Sequence, residues 1–365
     1  MNHDDKLREA FSRLHVTSVF SGDISFPLQT VSFSPTPEPT PVFSPHLPAD
    51  VAQYCGEEPR VYAERSPREV AFSADGTRLF VNSYPGISIL NLATGMREQT
   101  PPGMSEVGPH GHGAVAMSAN GTHLLTTTFD NIVTLWDTKT LEPKCMGKYS
   151  RSLHNVAISA DGSVIVPGSN EREITVLYTK GLFLDNRVMI TCAQIPTETR
   201  HAPIVLSRDG TMLAHCHADK SVHVWDIRRL ERTRVFNGHD NTVYDAVFSS
   251  DASLLLTASV DGTVRAWDMS TGGCRILSGH DRGAFSVAIS PDDEIVLTGA
   301  GDGTLRAWFL RSNVCRVLKS PHHDSIIMSI AFSSDGRMFA SSNRGNVCVW
   351  QTATSPLTRR PWEWE

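Results

Sequence analysis

The chain has 365 residues, of which 40% are hydrophobic and 20% are charged, and its formal net charge is −6. This apolar content is enough for a large core and excludes a wholly disordered chain, and no stretch approaches the roughly 20 apolar residues of a membrane-spanning helix. The acidic balance argues against general binding to nucleic-acid phosphates, and seven cysteines without a Cys-x-x-Cys pair argue against a disulfide scaffold or a thiolate zinc site.

Residues 1–58 are predicted to form an acidic, proline-rich N-terminal arm. They hold eight acidic and three basic side chains and seven of the 21 prolines. Proline at every second position from Pro35 to Pro41 favours extended polyproline geometry. A solvated arm is favoured over a docking segment. The first residues lack the basic start and apolar run of a secretory signal, so we expect an intracellular location, in the cytoplasm, the nucleus or both.

Residues 59–351 consist of a repeated unit of about 43 residues. Each unit has an apolar run, a turn that starts with serine, a second apolar run and a third run that ends in tryptophan in five units. Alternation with period two in Thr263–Trp267 is typical of a half-buried strand. A fixed period of this length indicates a propeller or a solenoid. The anchoring serines are Ser73, Ser118, Ser159, Ser207, Ser249, Ser290 and Ser333.

Seven such units are predicted to form an all-β, seven-bladed propeller of four-stranded antiparallel blades, because one blade alone cannot bury both of its faces. Residues 60–63 parallel the outer runs Cys274–Leu277 and Cys315–Leu318, whereas the chain after Trp350 becomes polar. We therefore predict that residues 60–63 provide the outer strand of the last blade. Residues 352–365 are predicted to form a C-terminal tail.

The ends of the third runs carry a recognisable motif. Tryptophan is followed by aspartate at Trp136, Trp225 and Trp267, and glycine is followed by histidine at Gly238 and Gly279. In these residues the chain resembles the WD40-repeat family over roughly residues 60–350. The resemblance implies a non-catalytic scaffold for protein–protein interactions, as a subunit of a larger multiprotein or ribonucleoprotein complex.

Serine, histidine and aspartate recur in the repeats, which raises the question of a hydrolase. The resemblance instead implies buried tetrads of indole, hydroxyl, imidazole and carboxylate, and recurrence around the ring favours this structural role over a single catalytic site. No catalytic residue is predicted. The predicted tetrad residues are His239, Ser259, Asp261 and Trp267 in repeat five, Thr128, Asp130 and Trp136 with His110 as a candidate in repeat two, and His280, Asp302 and Trp308 in repeat six, where Ala300 replaces the hydroxyl.

Two histidines in repeat four have a spacing compatible with zinc. His215 and His217 are expected on one face of a strand, with His223 on the neighbouring strand. A metal site needs further ligands and groups that orient them, and the sequence fixes none. His217 takes the position of the tetrad hydroxyl, so a structural imidazole is favoured, and neither a metal nor a cofactor is predicted.

Equivalent positions of the repeats are expected to share one face of the propeller. They lie five residues before each anchoring serine and just before the turn aspartate. Aromatic residues among them favour a protein partner, because such residues dominate binding hot spots, and packing under neighbouring loops is the alternative. The predicted partner-binding residues are Arg68, Phe129, His154, Tyr244, Val260, Phe285 and Met328.

Repeat four offers a second surface. The segment from Trp225 to Arg228 resembles the Trp-Asp-x-Arg box of WD40 substrate receptors of cullin-4 ubiquitin ligases. This resemblance implies that Asp226 and Arg228 contact the ligase adaptor, which is the alternative function. The basic cluster that follows allows a weak, salt-sensitive contact with RNA. We expect RNA only through a larger complex, and neither a membrane nor a small-molecule substrate.

Overall fold

The structure is a computed structural model that describes residues 59–84, 86–101, 104, 112–128, 131–148, 153–169, 173–179, 183–184, 187–188, 191–196, 203–312, 314–318 and 325–352. These residues form seven four-stranded antiparallel sheets and one two-stranded ribbon. The predicted seven-bladed all-β propeller is thus confirmed. Nowhere in this part of the chain is there a helix long and apolar enough to cross a membrane. The arm of residues 1–58 and the tail beyond residue 352 lie outside the described residues and stay predictions.

The strands follow one another blade by blade. Before blade 1 comes β1 (Arg60–Ala63). Blade 1 holds β2 (Glu69–Phe72), β3 (Arg78–Asn82), β4 (Ile87–Asn91) and β5 (Arg97–Glu98), and blade 2 holds β6 (His112–Met117), β7 (His123–Thr128), β8 (Ile132–Asp137) and β9 (Pro143–Lys148). Blade 3 holds β10 (Leu153–Ile158), β11 (Val164–Ser169), β12 (Glu173–Tyr178) and β15 (Thr191–Pro196), and the ribbon β13 (Phe183–Leu184) and β14 (Arg187–Val188) is inserted before its last strand.

The later blades have the same order. Blade 4 holds β16 (Ile204–Leu206), β17 (Met212–Cys216), β18 (Val222–Asp226) and β19 (Glu231–Phe236), and blade 5 holds β20 (Val243–Phe248), β21 (Leu254–Ser259), β22 (Thr263–Asp268) and β23 (Cys274–Ser278). Blade 6 holds β24 (Ala284–Ile289), β25 (Ile295–Ala300), β26 (Leu305–Phe309) and β27 (Val314–Leu318), and blade 7 holds β28 (Ser329–Phe332), β29 (Met338–Ser342) and β30 (Asn346–Gln351). The first strands of consecutive blades contact one another in an unbroken cycle.

A local turn explains the period of the sequence. In blade 1, Ser73 Oγ donates to Asp75 Oδ1 at 2.6 Å and accepts from the N–H of Arg78 at 3.0 Å, and Gly76 between them has a φ of +65°. The bond from serine to the residue two positions later recurs in all seven blades. Each anchoring serine therefore closes the hairpin between the first and second strands of its blade.

Blade 7 is completed by a strand from the other end of the repeat region. β1 pairs antiparallel with β30, with Arg60 opposite Val349, and thereby becomes the outer strand of the blade. The hydroxyl of Ser329 in blade 7 also accepts a hydrogen bond from the N–H of Val70 in blade 1 at 3.3 Å. The two ends of residues 60–351 therefore meet in one blade, and blade 7 contacts blade 1.

The hydrophobic core lies between blades rather than within them. Each of seven clusters of buried apolar side chains among the described residues joins two neighbouring blades. In one of them the ring of Trp267 from blade 5 stacks on Phe236 of blade 4, with centroids 4.9 Å apart. Because every blade buries its faces against its neighbours, the stability of each blade depends on the blades beside it.

Candidate protein-interaction site at one mouth of the central channel

The first strands of the blades enclose a central channel of about 910 Å³. Four predicted partner-binding residues line it: Arg68, Tyr244, Phe285 and Met328. Val260 is half-buried in a turn. Its backbone packs closely against Gly283, because a β-carbon placed on that glycine would lie 3.0 Å from Cα of Val260. Phe129 and the side chain of His154 lie outside the described residues.

β-Bulges position the side chains at this mouth. In blades 3, 5 and 6 the pairing of the first two strands shifts around one extra residue, which is His154, Tyr244 or Phe285. A bulge redirects the side chain of its extra residue away from the regular alternation of the strand. Arg68 and Met328 directly precede the first strands of blades 1 and 7. Equivalent positions of the repeat therefore place Arg68, Tyr244, Phe285 and Met328 around one opening of the channel. We call this opening the channel mouth.

An aromatic pair marks the channel mouth between blades 5 and 6. The rings of Tyr244 and Phe285 meet edge to face, with centroids 5.0 Å apart and planes at 82°, which is a favoured geometry for aromatic pairs. Tyr244 is 47% exposed, whereas Phe285 is half-buried. A β-carbon on Gly301 would lie 3.1 Å from Cε2 of Phe285, so glycine leaves room for this ring. Solvent thus reaches an ordered aromatic surface.

A set of polar side chains that the sequence did not predict as functional lies just inside the channel mouth. Each directly follows a mouth position, and each accepts a backbone N–H from the first strand of the next blade. Glu69 Oε2 accepts from Val115 at 2.9 Å, and Asp245 Oδ2 accepts from Val287 at 2.9 Å. The hydroxyls that do the same are those of Ser286, to Ile330 at 3.0 Å, and Ser329, to Val70 at 3.3 Å. These bonds, which we call the seam bonds, fasten neighbouring blades beside the channel. The signal was a polar residue at the start of an apolar strand.

Two of the seam-bond groups are carboxylates whose pKa values lie near neutrality. Burial raises the pKa of Glu69 to about 7, although hydrogen bonds from Asn82 and the N–H of Val115 oppose this, and the charge of Asp245 raises it further. Burial raises the pKa of Asp245 to about 6, against hydrogen bonds from backbone N–H groups. In both cases the removal of the carboxylate from water is the largest cause, because burial disfavours the charged form.

Thr257, and not the predicted Ser259, is the hydroxyl of the tetrad in blade 5. The indole Nε1–H of Trp267 donates to Thr257 Oγ1 at 2.9 Å, and Thr257 Oγ1 lies 2.8 Å from His239 Nε2. His239 Nδ1 lies 2.8 Å from Asp261 Oδ2. The hydroxyl of Ser259 donates instead to a loop carbonyl oxygen at 3.0 Å.

The pairing register gives the reason for this correction. Trp267 lies opposite Leu255, so Thr257 is its diagonal neighbour on the next strand, and Ser259 is two residues farther away. Residues two apart share one face of a strand, and alternation alone cannot choose between them. Thr257 and His239 are both buried, so this cluster of threonine, histidine and aspartate side chains does not form an exposed hydrolytic site.

The same correction applies in the other blades. Blade 6 does have a tetrad hydroxyl, because Thr298 Oγ1 lies 2.7 Å from His280 Nε2 and accepts from the indole of Trp308 at 2.9 Å, and the expectation that Ala300 removes it is wrong. His280 Nδ1 lies 3.2 Å from Asp302 Oδ2.

Blade 2 repeats this arrangement in part. The indole of Trp136 donates to Thr126 Oγ1 at 2.9 Å, while the predicted Thr128 accepts a backbone N–H at 3.3 Å. Asp130 and His110 lie outside the described residues. The tetrad hydroxyl therefore belongs two residues earlier in the repeat than the sequence suggested.

Blade 4 replaces the tetrad hydroxyl with an imidazole. His215, and not the predicted His217, stands ten residues before Trp225, as Thr257 stands before Trp267. The rings of His215 and His217 lie 4.7 Å apart, and His217 stacks on His223 at 3.7 Å. Burial lowers the pKa of His215 to about 3 and that of His223 to about 4, and the neighbouring imidazoles add to both shifts. No group of three or more metal-binding side chains is arranged to hold an ion in the part of the chain described.

The aspartate of the Trp-Asp-x-Arg segment is a turn cap. Asp226 Oδ1 accepts the N–H groups of Arg228 at 2.9 Å and Arg229 at 3.1 Å. Asp137 and Asp268 cap the equivalent turns of blades 2 and 5 in the same way. What distinguishes blade 4 is the exposed guanidinium of Arg228.

Comparison with known proteins identifies the repeat. The profile of the family described as WD domain, G-beta repeat matches residues 107–137, 199–226, 230–268, 273–308 and 314–351. Similar proteins include apoptotic protease-activating factor 1 of Danio rerio, 27% identical over 160 residues, nuclear distribution protein nudF of Emericella nidulans, 31% over 175, and eukaryotic translation initiation factor 3 subunit I of Aspergillus oryzae, 38% over 71. These matches cover 44%, 43% and 20% of this chain but 12%, 39% and 21% of the relatives.

The corrected tetrad can be tested by comparing two conservative variants. Thr257→Val should lower the free energy of unfolding by about 2–4 kcal/mol, because it leaves the buried groups of Trp267 and His239 without their shared partner. Ser259→Ala, the matched control, should cost about 1 kcal/mol. Urea unfolding measures both, and an equal or larger loss for Ser259→Ala would contradict the assignment.

The histidines of blade 4 predict a loss of stability in acid. Their folded pKa values of about 3 and 4 lie below the ordinary 6.5, so the folded state binds fewer protons than the unfolded state. Above pH 6.5 the two histidines are neutral in both states and cost no stability. As the pH falls from there towards 4, the unfolded state takes up protons that the folded state does not, and the free energy of unfolding decreases. His215→Thr would give Trp225 Nε1, which is buried without a partner, a hydroxyl acceptor. We expect the His215→Thr substitution to raise the free energy of unfolding by about 1 kcal/mol at pH 7. It should also make the free energy of unfolding fall less steeply as the pH is lowered.

Urea unfolding of parent and variant at pH 7, 5.5 and 4.5 measures this effect. Taking the difference at each pH cancels the contribution of Glu69 and Asp245, whose raised pKa values act with the opposite sign. An acid decline of the same steepness in the His215→Thr variant would contradict the assignment.

Proposed function

Because the chain belongs to the WD40-repeat family of β-propellers, we propose that it is a non-catalytic interaction scaffold and a subunit of a larger multiprotein or ribonucleoprotein complex. The observation that carries the proposal is the channel mouth, where bulges on tightly packed strands hold Tyr244 and Phe285 at the surface. An aromatic surface fixed in place loses little entropy when a partner binds, which favours a protein-binding hot spot.

The relatives support this role at the level of the family. One of them is, by its name, a subunit of a translation initiation factor. The chain spans 12–39% of the length of the three relatives described, so their own partners are not transferred to it. The proposal places this protein inside the cell, in the cytoplasm or the nucleus, without a cofactor or a small-molecule substrate. RNA would be contacted only through the complex, and the acidic arm of residues 1–58 would dock a second partner or lie across the propeller rim.

A second candidate function is that of a substrate receptor of a cullin-4-type ubiquitin ligase. The observation in its favour is the exposed guanidinium of Arg228, whose backbone is fixed by the Asp226 cap. The recurrence of the same cap in blades 2 and 5 shows that the aspartate is needed for the turn and carries no information about a partner. The proposal for Arg228 therefore depends on its side chain alone.

Affinity purification with quantitative mass spectrometry tests the scaffold proposal. The full chain is compared with a Tyr244→Ala, Phe285→Ala double variant, and Met96→Ala is the control because Met96 is 69% exposed in the turn between β4 and β5, at the other end of the strands. We expect the double variant to lose at least about fivefold in stoichiometric partners, since hot-spot truncations cost about 1–2 kcal/mol or more, while the melting temperature stays within a few degrees.

Unchanged partner yields in the double variant would contradict a scaffold that uses the channel mouth. Two further chains resolve the alternatives in the same experiment. Partners lost only when residues 1–58 are removed belong to the arm. Loss of a cullin adaptor from Arg228→Glu, with folding intact, would favour the ligase receptor, and retention of all partners by that variant would exclude it.

A further inference from the structure

The channel mouth combines aromatic rings with carboxylates, and this combination suits a cation. We propose that it binds an arginine side chain from a loop of a protein partner, with the guanidinium between Glu69 and Asp245 and the aliphatic stem against Tyr244 and Phe285. The inference rests on the proposed scaffold function and specifies the chemistry of the partner.

The first step is that the aromatic and acidic groups lie together. Tyr244 and Asp245 are consecutive residues of the bulge in β20, and Tyr244 contacts Phe285. Glu69 belongs to blade 1, which is not a neighbour of blade 5, and all four residues line the same cavity. Both carboxylates directly follow a mouth position, so they lie at the same level of the channel on two different blades.

Among the described residues, no ion pair joins Glu69 or Asp245 to a cation. Their hydrogen bonds there come from backbone N–H groups, from the Asn82 amide and from the Ser286 hydroxyl. Arg68 acts on Glu69 only as the weakest of its electrostatic influences and has an exposed side chain. A cation between the carboxylates would supply a positive charge that offsets their burial.

The chemistry of the guanidinium group favours arginine over other cations at this site. A guanidinium is planar, offers five N–H donors and can hydrogen-bond to carboxylates on two sides. It is also less strongly hydrated than an ammonium group, and it packs favourably on aromatic faces. A cavity of about 910 Å³ that opens at an aromatic mouth has room for one extended side chain.

The proposal predicts that binding depends on pH. Bound arginine requires both carboxylates to be ionised, whereas in the free protein the pKa values of Glu69 and Asp245 are about 7 and 6. The affinity for arginine should therefore rise by about tenfold or more between pH 6 and pH 8. At pH 6 the carboxyl groups are partly protonated, and they must release these protons before arginine binds. A purely apolar contact with Tyr244 and Phe285 would show no such change.

The experiment uses the full chain and blocked tripeptides of the form glycine–X–glycine. X is arginine, lysine or citrulline, and citrulline is the neutral isostere of arginine. Ligand-observed NMR titrations at pH 6 and pH 8 give the dissociation constants. For arginine at pH 8 we expect a value on the order of 1 mM, as befits a single side chain, with lysine clearly weaker and citrulline at least tenfold weaker.

Isosteric variants connect this binding to the channel. Asp245→Asn and Glu69→Gln keep an oxygen acceptor for the seam bonds, and thermal melting checks that the fold is retained. Each should weaken arginine binding at least fivefold, and Glu69→Gln should remove most of the pH dependence. Asp240→Asn, at an exposed carboxylate in a loop, is the control and should bind like the parent.

Three results would overturn the inference: no arginine binding at pH 8, equal binding of arginine and citrulline, or parent-like binding by both folded channel variants. Lysine binding as tight as that of arginine would overturn the choice of arginine. The titration needs no cellular partner, so its failure is separable from failure of the scaffold proposal. If Tyr244 and Phe285 are needed for partner capture but arginine does not bind, the scaffold stands and this inference falls.

Discussion

The stability of the propeller depends on the apolar side chains that are buried between neighbouring blades. A four-stranded sheet in this chain has two apolar faces, and each buried cluster is built from two adjacent blades. No blade can therefore satisfy its own core, and an incomplete ring would leave two faces exposed to water. Pairing of β1 with β30 removes that problem, because residues 60–63 complete the blade that contacts the start of the ring.

The same constraint shapes the surface that we assign to partners. Bulges in the first strands of blades 5 and 6 interrupt regular pairing beside the channel, and the polar residues that follow them make seam bonds to the next blade. A bulge thus has two effects at once: it directs Tyr244 or Phe285 outward, and it turns the following polar residue towards the neighbouring blade. In blade 5 that polar residue is the carboxylate Asp245. Glu69 places a second carboxylate at the corresponding position of blade 1, where the pairing is regular, and these structural bonds introduce charge into the channel.

Much of the architecture could be predicted from the sequence because each blade corresponds to one copy of a repeat of about 43 residues. Seven serine turns and recurring tryptophans were sufficient for the number of blades and for the arrangement of their strands. The tetrad hydroxyls were misplaced because residues two apart, such as Thr257 and Ser259, share a face, and only the register with Trp267 decides between them. The seam bonds were missed for a related reason: a single polar residue such as Asp245 acquires its role from a blade about 40 residues away. The partner-binding role of the channel mouth stays a proposal, because side-chain chemistry alone does not identify a partner.

Hydrogen exchange of the backbone amides tests the interdependence of the blades most directly. The amides of β1 and β30 and the seam-bond donors Val70, Val115, Val287 and Ile330 connect one blade to another or close the ring. If the ring is one cooperative unit, these amides should exchange only through global unfolding, with the same opening free energy as the buried second strands of their blades. Opening of blade 7 or of any seam at a free energy several kcal/mol lower, while the remaining blades stay protected, would contradict the account.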